Sequence, residues 1–387
     1  MLHYAPLYCK AQRKVNRNFF EFQIFLYFCG EYCNTKVKLN NTNKSYSGAK
    51  KKPGQSDELY QANSVAYIEA DLKINHLRIL MAIILHLQGA IRFKVGRTVK
   101  RSGIPDVFLP PPGPDTRLGK VRILEIPVSD FHFGRTNGAR LRECLEELRS
   151  TRIIFPTGSA YLLDIFPGLI AGYTVTPYAR TIKIHLLEPM ISRLLLTEEG
   201  YSHYSHSKAL TLTNKYTVRL YWLICSWRNR GGFVITLDAL KKLLQLNPGY
   251  DKYSNIVTRV LAPSRDELRS RFPIWFLFRE YTAADGIRRI VFKIKQTLPP
   301  EEEKHLKSDA NDFFFKALAQ SGIRPDSLWD LLGTLETEDL KPISRKLTEL
   351  LSHIRSHPEI HHPADYLRAS LQAWLNNWSA RYQDISE

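Results

Sequence analysis

Between Thr236 and Lys295 the chain spells two short helices, a tight turn and a two-stranded hairpin, an order that few small folds accommodate. Thr236 is a good N-cap for a helix over Leu237–Leu246, with Leu240, Leu243 and Leu244 facing inward. Asn247-Pro248-Gly249 ends it, and the next helix starts near Asp251. Pro263 lacks the N–H that a helix interior needs, so it kinks or divides this helix ahead of Arg265–Arg271. Ile274–Tyr281 and Ile287–Lys295 then read as a hairpin turning at Ala284-Asp285-Gly286. Helix, turn, helix and basic hairpin is the outline of a winged helix, a shape that lays one helix into the DNA major groove.

Charge points the same way. The net charge is +17 and unevenly spread: residues 61–296 carry 35 Lys+Arg against 19 Asp+Glu, residues 297–387 only 10 against 15. A basic body suggests a polyanionic partner, double-stranded DNA, and the acidic end a different task. Five scattered cysteines, an odd number, give no disulfide framework and suit a reducing cytoplasm. Cys29 and Cys33 lack a second pair, so zinc is not expected there. The aromatic run Phe19–Phe28 is interrupted by Glu21 and far too short to span a bilayer, so no membrane partner is expected.

Four segments follow. Residues 1–59 read as a poorly ordered basic head and linker, 60–206 as a first winged-helix domain, 207–296 as a second and 297–387 as an acidic helical tail. The fold class is α+β, two tandem winged helices followed by a small helical region. In the first half, Leu72–Leu87 has helical spacing and Arg97–Lys120 is proline-rich loop. Val121–Pro127 is a strand, Val128–Arg135 one or two helical turns, and Thr136–Ser150 a helix with Leu141, Cys144, Leu145 and Leu148 inward. Ala160–Phe166 and Thr181–Leu187 complete it as a hairpin. The second half repeats this order, beginning with an apolar helix over Thr217–Trp227 and a brief strand at Val234–Ile235, which suggests a structural duplication. The tail is helical, broken at Gly322, Pro325, Pro342, Pro358 and Pro363.

At 100° per residue, the helix from Lys252 puts Tyr253, Ile256, Val257, Val260 and Leu261 on a core face. Asn255, Thr258 and Ala262 lie opposite, flanked by Lys252 and Arg259, and such residue types suit base edges. In the hairpin Arg279, Arg288, Arg289, Lys293 and Lys295 are candidate phosphate contacts, and Arg265, Arg269 and Arg271 extend the footprint. The first half is the poorer reader: Arg135, Asn137 and Arg142 could approach DNA, but Glu143, Glu146 and Glu147 follow. A protein-binding or dimer surface is the alternative there. Catalytic signatures are missing. Gly113 to Val121 mimics a phosphate loop with the wrong spacing and a proline at Pro114, and His203 and His206 are misplaced for a nicking enzyme. His353, His357, His361 and His362 suggest a metal, but Pro358 breaks the helix that would align them. No cofactor, metal or enzymatic role is expected.

Thr217-Val-Arg219-Leu-Tyr221-Trp-Leu-Ile resembles the helix that opens the second winged helix of iteron-binding plasmid replication initiators. Leu237–Leu246, Tyr250, Tyr253, Val260-Leu261-Ala-Pro263 and Ile290-Val-Phe292-Lys-Ile294 are similar to that family's core, and Thr181–Leu195 with Tyr201–Tyr204 to the end of its first winged helix. The likeness covers roughly residues 60–296. It implies binding to repeated origin sites, strand opening and helicase loading, with the host replication initiator and replicative helicase as partners. It also implies a monomer–homodimer equilibrium in which dimers repress the initiator gene. Lys252, Asn255, Thr258 and Arg259 would form the main reading helix, braced by Arg219 and Tyr221. The head, the proline-rich loop and the acidic tail depart from the family pattern. A winged-helix repressor without a replication role, and a rolling-circle nickase, are the rival readings.

Overall fold

The computed structural model describes residues 57–95, 112–116, 119–133, 138–156, 163–175, 180–195, 200–333 and 335–382. The head up to residue 56, with its aromatic run and three of the cysteines, lies outside them, whereas Glu58 and Leu59, expected in the poorly ordered head, already belong to a strand. The chain is mixed α+β with small antiparallel sheets. Its described residues form two compact units. One runs to Ser226 and includes Lys242–Asn247; the other comprises Trp227–Lys241 and everything from Pro248 onward. The helix over Lys215–Ser226 therefore belongs by its contacts to the first unit, and the helical tail to the second.

In the first unit, β1 (Glu58–Ala62) pairs with β8 (Tyr201–Ser205), and the buried Tyr204 hydroxyl donates to Gln61 Oε1 at 2.6 Å. Helix α1 (Ile74–Val95) runs well past the expected Leu87, and Leu77, Leu80, Met81 and Ile84 are fully buried. A four-stranded sheet has the order β2 (Pro112–Thr116), β3 (Gly119–Pro127), β7 (Thr181–Leu187), β6 (Gly172–Thr174). Part of the expected proline-rich loop is thus an edge strand, the place in a sheet where proline's missing donor matters least. The phosphate-loop mimic is consumed by this β2–β3 hairpin. Helix α2 (Gly138–Ser150) buries the four expected residues, Leu141, Cys144, Leu145 and Leu148.

The hairpin of the first half differs from expectation. Residues Leu163–Phe166 form β5, which pairs with β4 (Ile153–Pro156), while the partner of β7 is β6. The sequence Ile-Ile-Phe-Pro directly after α2 alternates burial and so competes for β5. With β4–β5 set aside as an insertion, the strand order β3-β7-β6 matches β9-β11-β10 of the second unit, where β9 is Gly232–Thr236, β10 Ile274–Thr282 and β11 Arg288–Gln296.

Helix α3 (Lys215–Trp227) carries the buried Arg219, Tyr221 and Trp222. Tyr221 meets Tyr204 edge-on at 5.2 Å. Helix α4 (Leu237–Leu244) is capped as read, the Ala239 N–H donating to Thr236 Oγ1 at 3.2 Å. It stops two residues earlier than expected, at Gln245 with φ 51°. In the second unit, Phe233, Phe276 and Phe292 pack together in the sheet core, Phe233 and Phe292 stacked 4.7 Å apart. The tail helices α7 (Pro300–Gln320), α8 (Thr337–Ser356) and α9 (Pro363–Tyr382) bury Phe314, Leu318, Ile343, Leu347, Leu351, Leu367 and Leu371 together. Pro342 does not break α8 but lies inside it, near its N-terminus where one lost bond is tolerated. No helix among the described residues is long and apolar enough to cross a membrane.

Candidate nucleic-acid interface

The candidate reading helix is one continuous rod over 253–271 with a widened centre. It consists of α5 (Tyr253–Ile256), a π turn (Val257–Leu261) and α6 (Ala262–Arg271). The proline explains the bulge. Pro263 has no N–H for the Arg259 carbonyl four residues back, and its ring would crowd that oxygen, so the preceding turn widens instead of the helix ending. Ile256, Val260, Leu261 and Leu268 are buried, whereas Lys252, Ser254, Thr258 and Arg259 are exposed. The expected division of faces holds in part: Tyr253 and Val257, expected in the core, and Asn255 and Ala262, expected opposite, are all half-buried. Burial pushes the Tyr253 hydroxyl pKa up to about 12, helped by the neighbouring Glu280 and opposed by Arg288.

The polar stripe is not uniformly available. Asn255 is half-buried, and its Nδ2 donates to the Gly249 carbonyl at 3.2 Å, holding the turn before the helix. The Thr258 hydroxyl donates back to the Ser254 carbonyl at 2.9 Å, a bond that tends to bend a helix. Lys252 and Arg259 differ: among the described residues neither side chain has an ion-pair or hydrogen-bond partner. They are the two groups best able to meet an external polyanion.

The hairpin requires corrections. Arg289, expected as a phosphate contact, is only 8% exposed and donates from Nη1 and Nη2 to the two carboxylate oxygens of Asp285, at 3.0 and 2.7 Å. Asp285 also accepts from the Ile287 N–H at 2.9 Å, and Gly286 takes φ 77°, so the pair closes the hairpin turn. An arginine directed inward onto its own turn cannot grip phosphate. Arg288 is exposed but bonded to Glu280 and lies 5.7 Å from the Tyr253 ring, while Arg279 is half-buried. Lys293 and Lys295 line a small cleft together with Glu303 and Glu336. Arg265 pairs with Asp266 at 2.8 Å and covers the Phe278 ring; Arg271 pairs with Glu267 at 3.6 Å. Arg265, Arg271, Arg288 and Arg289 are therefore each paired with an acid within the chain.

Arg289→Ala should accordingly lower the thermal midpoint by a few degrees and leave the salt dependence of DNA binding unchanged. The bonds from Arg289 hold the Asp285 pKa below the usual carboxylate range. A depressed carboxylate stabilises the fold above its unfolded value, so this contribution is present at neutral pH and fades as pH falls through the lowered value. Thermal melts at several pH values, with binding titrations at several salt concentrations, check both statements. A shallower salt slope in the variant would return Arg289 to the phosphate footprint.

In the first unit Arg142 is exposed at the rim of an open cleft of about 540 Å³ between α2 and the β6–β7 hairpin. Arg149, Tyr173 and His185, which sequence reasoning missed, share this cleft. Glu146 sits among them, bonded to Arg149 and 3.4 Å from the Tyr173 hydroxyl. Arg135 and Asn137 lie outside the described residues. Arg269, expected to extend the footprint, has its guanidinium 4.7 Å from the centre of the Trp275 ring, a contact that the sequence does not reveal. Among the described residues no group of three or more metal-ligating side chains is assembled. No protein-family model matches the chain.

Proposed function

We propose that this protein is a sequence-specific, non-enzymatic DNA-binding initiator of plasmid replication, built on two tandem winged helices. In this reading it binds repeated origin sites, promotes origin opening and helicase loading, and represses its own gene. It acts in the cytoplasm, in monomer–homodimer equilibrium, with the host initiator and replicative helicase as partners. The observation that carries the reading is the exposed, uncompensated pair of Lys252, at the N-cap of a helix whose other face is core, and Arg259 on that helix. That helix lies between a short capped helix and a basic hairpin, the position of a recognition helix in this class. The recurrence of one strand order in both units supports two copies of the same module. Arg279, Arg288 and Arg265 act as secondary contacts, and Asn255 and Thr258 contribute through the shape of the helix more than through free hydrogen-bonding groups.

Footprinting on the DNA flanking the gene tests this. Protection of several direct repeats beside an AT-rich stretch is expected. Protection of a single palindrome alone would favour a repressor without a replication role, and a covalent tyrosyl–DNA adduct would favour a nickase. No protected site at all would contradict the reading.

A further inference from the structure

The histidines of the tail were set aside on the ground that Pro358 breaks their helix. Helix α8 instead runs to Ser356, with His357 as its C-cap, so the proline acts one residue too late to separate His353 from His357. These two side chains stand one helical turn apart, with ring centroids 3.9 Å from each other and planes inclined by 36°. His357 Nδ1 lies 2.9 Å from the His353 carbonyl. A carbonyl only accepts, so Nδ1 carries the proton and the lone pair is on Nε2. Ser356 Oγ supports this arrangement, lying 2.9 Å from the same Nδ1 and donating to the same carbonyl at 2.9 Å. His353 is exposed and its ring is backed by Tyr366 at 5.9 Å.

We propose that His353 and His357 chelate one divalent transition-metal ion through their Nε2 atoms, with water completing the coordination. Two histidines four residues apart on one helix face are a recurrent way of presenting imidazole to zinc. Tetrahedral binding at about 2.0–2.1 Å per nitrogen needs the two nitrogens about 3.3 Å apart, a separation open to two imidazoles whose centroids already lie 3.9 Å from each other. The Nδ1–H donated to a backbone carbonyl is the usual outer support of a ligating histidine. The site is also at a helix C-terminus, where unsatisfied carbonyls favour a cation. Imidazole pairs of this kind accept Zn²⁺, Ni²⁺ or Cu²⁺. The ion would tie the last turn of α8 to its cap. None of this depends on whether the chain binds DNA.

The test is calorimetric titration of the untagged full-length chain with nickel chloride and zinc chloride, for wild type, His353→Ala, His357→Ala and His361→Ala. Cysteines elsewhere contribute equally to all four, so the difference between variants is the signal. One equivalent is expected to weaken at least tenfold in His353→Ala and His357→Ala and to persist in His361→Ala. His353→Ala leaves the cap bond of His357 intact, so its circular dichroism should match wild type and loss of fold cannot mimic the result. Identical titrations for wild type and His353→Ala, meaning an adventitious ion only, would overturn the proposal. An equal loss in His361→Ala would overturn the two-residue assignment.

Discussion

Arg219→Ala should cost about 3–4 kcal/mol of folding stability, as buried carbonyls left without donors cost about 1–3 kcal/mol each. Arg219 is only 5% exposed and serves three backbone oxygens: those of Ile68, Ala70 at 3.4 Å and Leu243 at 2.8 Å. Burial lowers its pKa to about 10, which still leaves it charged at neutral pH. One planar fork thus ties the segment before α1 to the last turn of α4, whose terminal carbonyls have no partner within the helix. Alanine removes every donor at once. Arg219→Lys should recover only part of the loss, because a single ammonium cannot span three acceptors. Urea unfolding followed by circular dichroism measures both variants, and a loss for alanine below about 0.5 kcal/mol, the range of ordinary surface changes, would show that the clamp is not structural.

Gly168→Ala is expected to cost about 3 kcal/mol, the upper end of what overpacking does in a closed site. A Cβ at this position would stand 2.1 Å from the Arg149 carbonyl oxygen, 2.6 Å from its carbon and 2.9 Å from the Leu148 oxygen. These are backbone atoms at the C-terminal end of α2, so no side chain can swing aside. The next residue fixes the approach, because the Leu169 N–H donates to the Leu148 carbonyl at 2.9 Å. The glycine therefore lets the β5–β6 connection run against the helix end and satisfy one of its orphan carbonyls. Thermal unfolding of the variant should show a clearly lowered midpoint; an unchanged midpoint would mean that the crossing relaxes freely.

Periodicity made the helices legible. The inward set Leu141, Cys144, Leu145 and Leu148 and the core face Ile256, Val260 and Leu261 follow from 100° spacing alone, and Thr236 as an N-cap follows from residue type. Strand pairing was less legible, because partners are chosen by geometry across the sheet. Ile153–Pro156 reads no more strongly than its neighbours, yet it takes β5 and leaves β7 to Gly172–Thr174. Pro263 also carried two outcomes: sequence reveals the missing donor but not whether the helix ends or widens. Side-chain charge misled most. Arg289 and Arg288 alternate along a strand, so one had to face inward, and the turn residue Asp285 captured it; this could have been anticipated by pairing every cation with the nearest acid across the turn. Conversely, Lys252 and Arg259 have no acid one turn away, and both side chains remain available.

The central claim is that the exposed stripe around Arg259 reads bases, and the most direct measurement is fluorescence anisotropy with wild type and Arg259→Ala. It uses the footprinted site and a set of its single-base variants at one fixed salt concentration. The expected result is a loss of about 1–3 kcal/mol, roughly 5- to 150-fold, on the parent site, with discrimination relaxed at one base pair and kept at the others. Equal affinity of the two proteins for every sequence would contradict the claim, and a uniform loss across all sequences would reduce Arg259 to a phosphate contact.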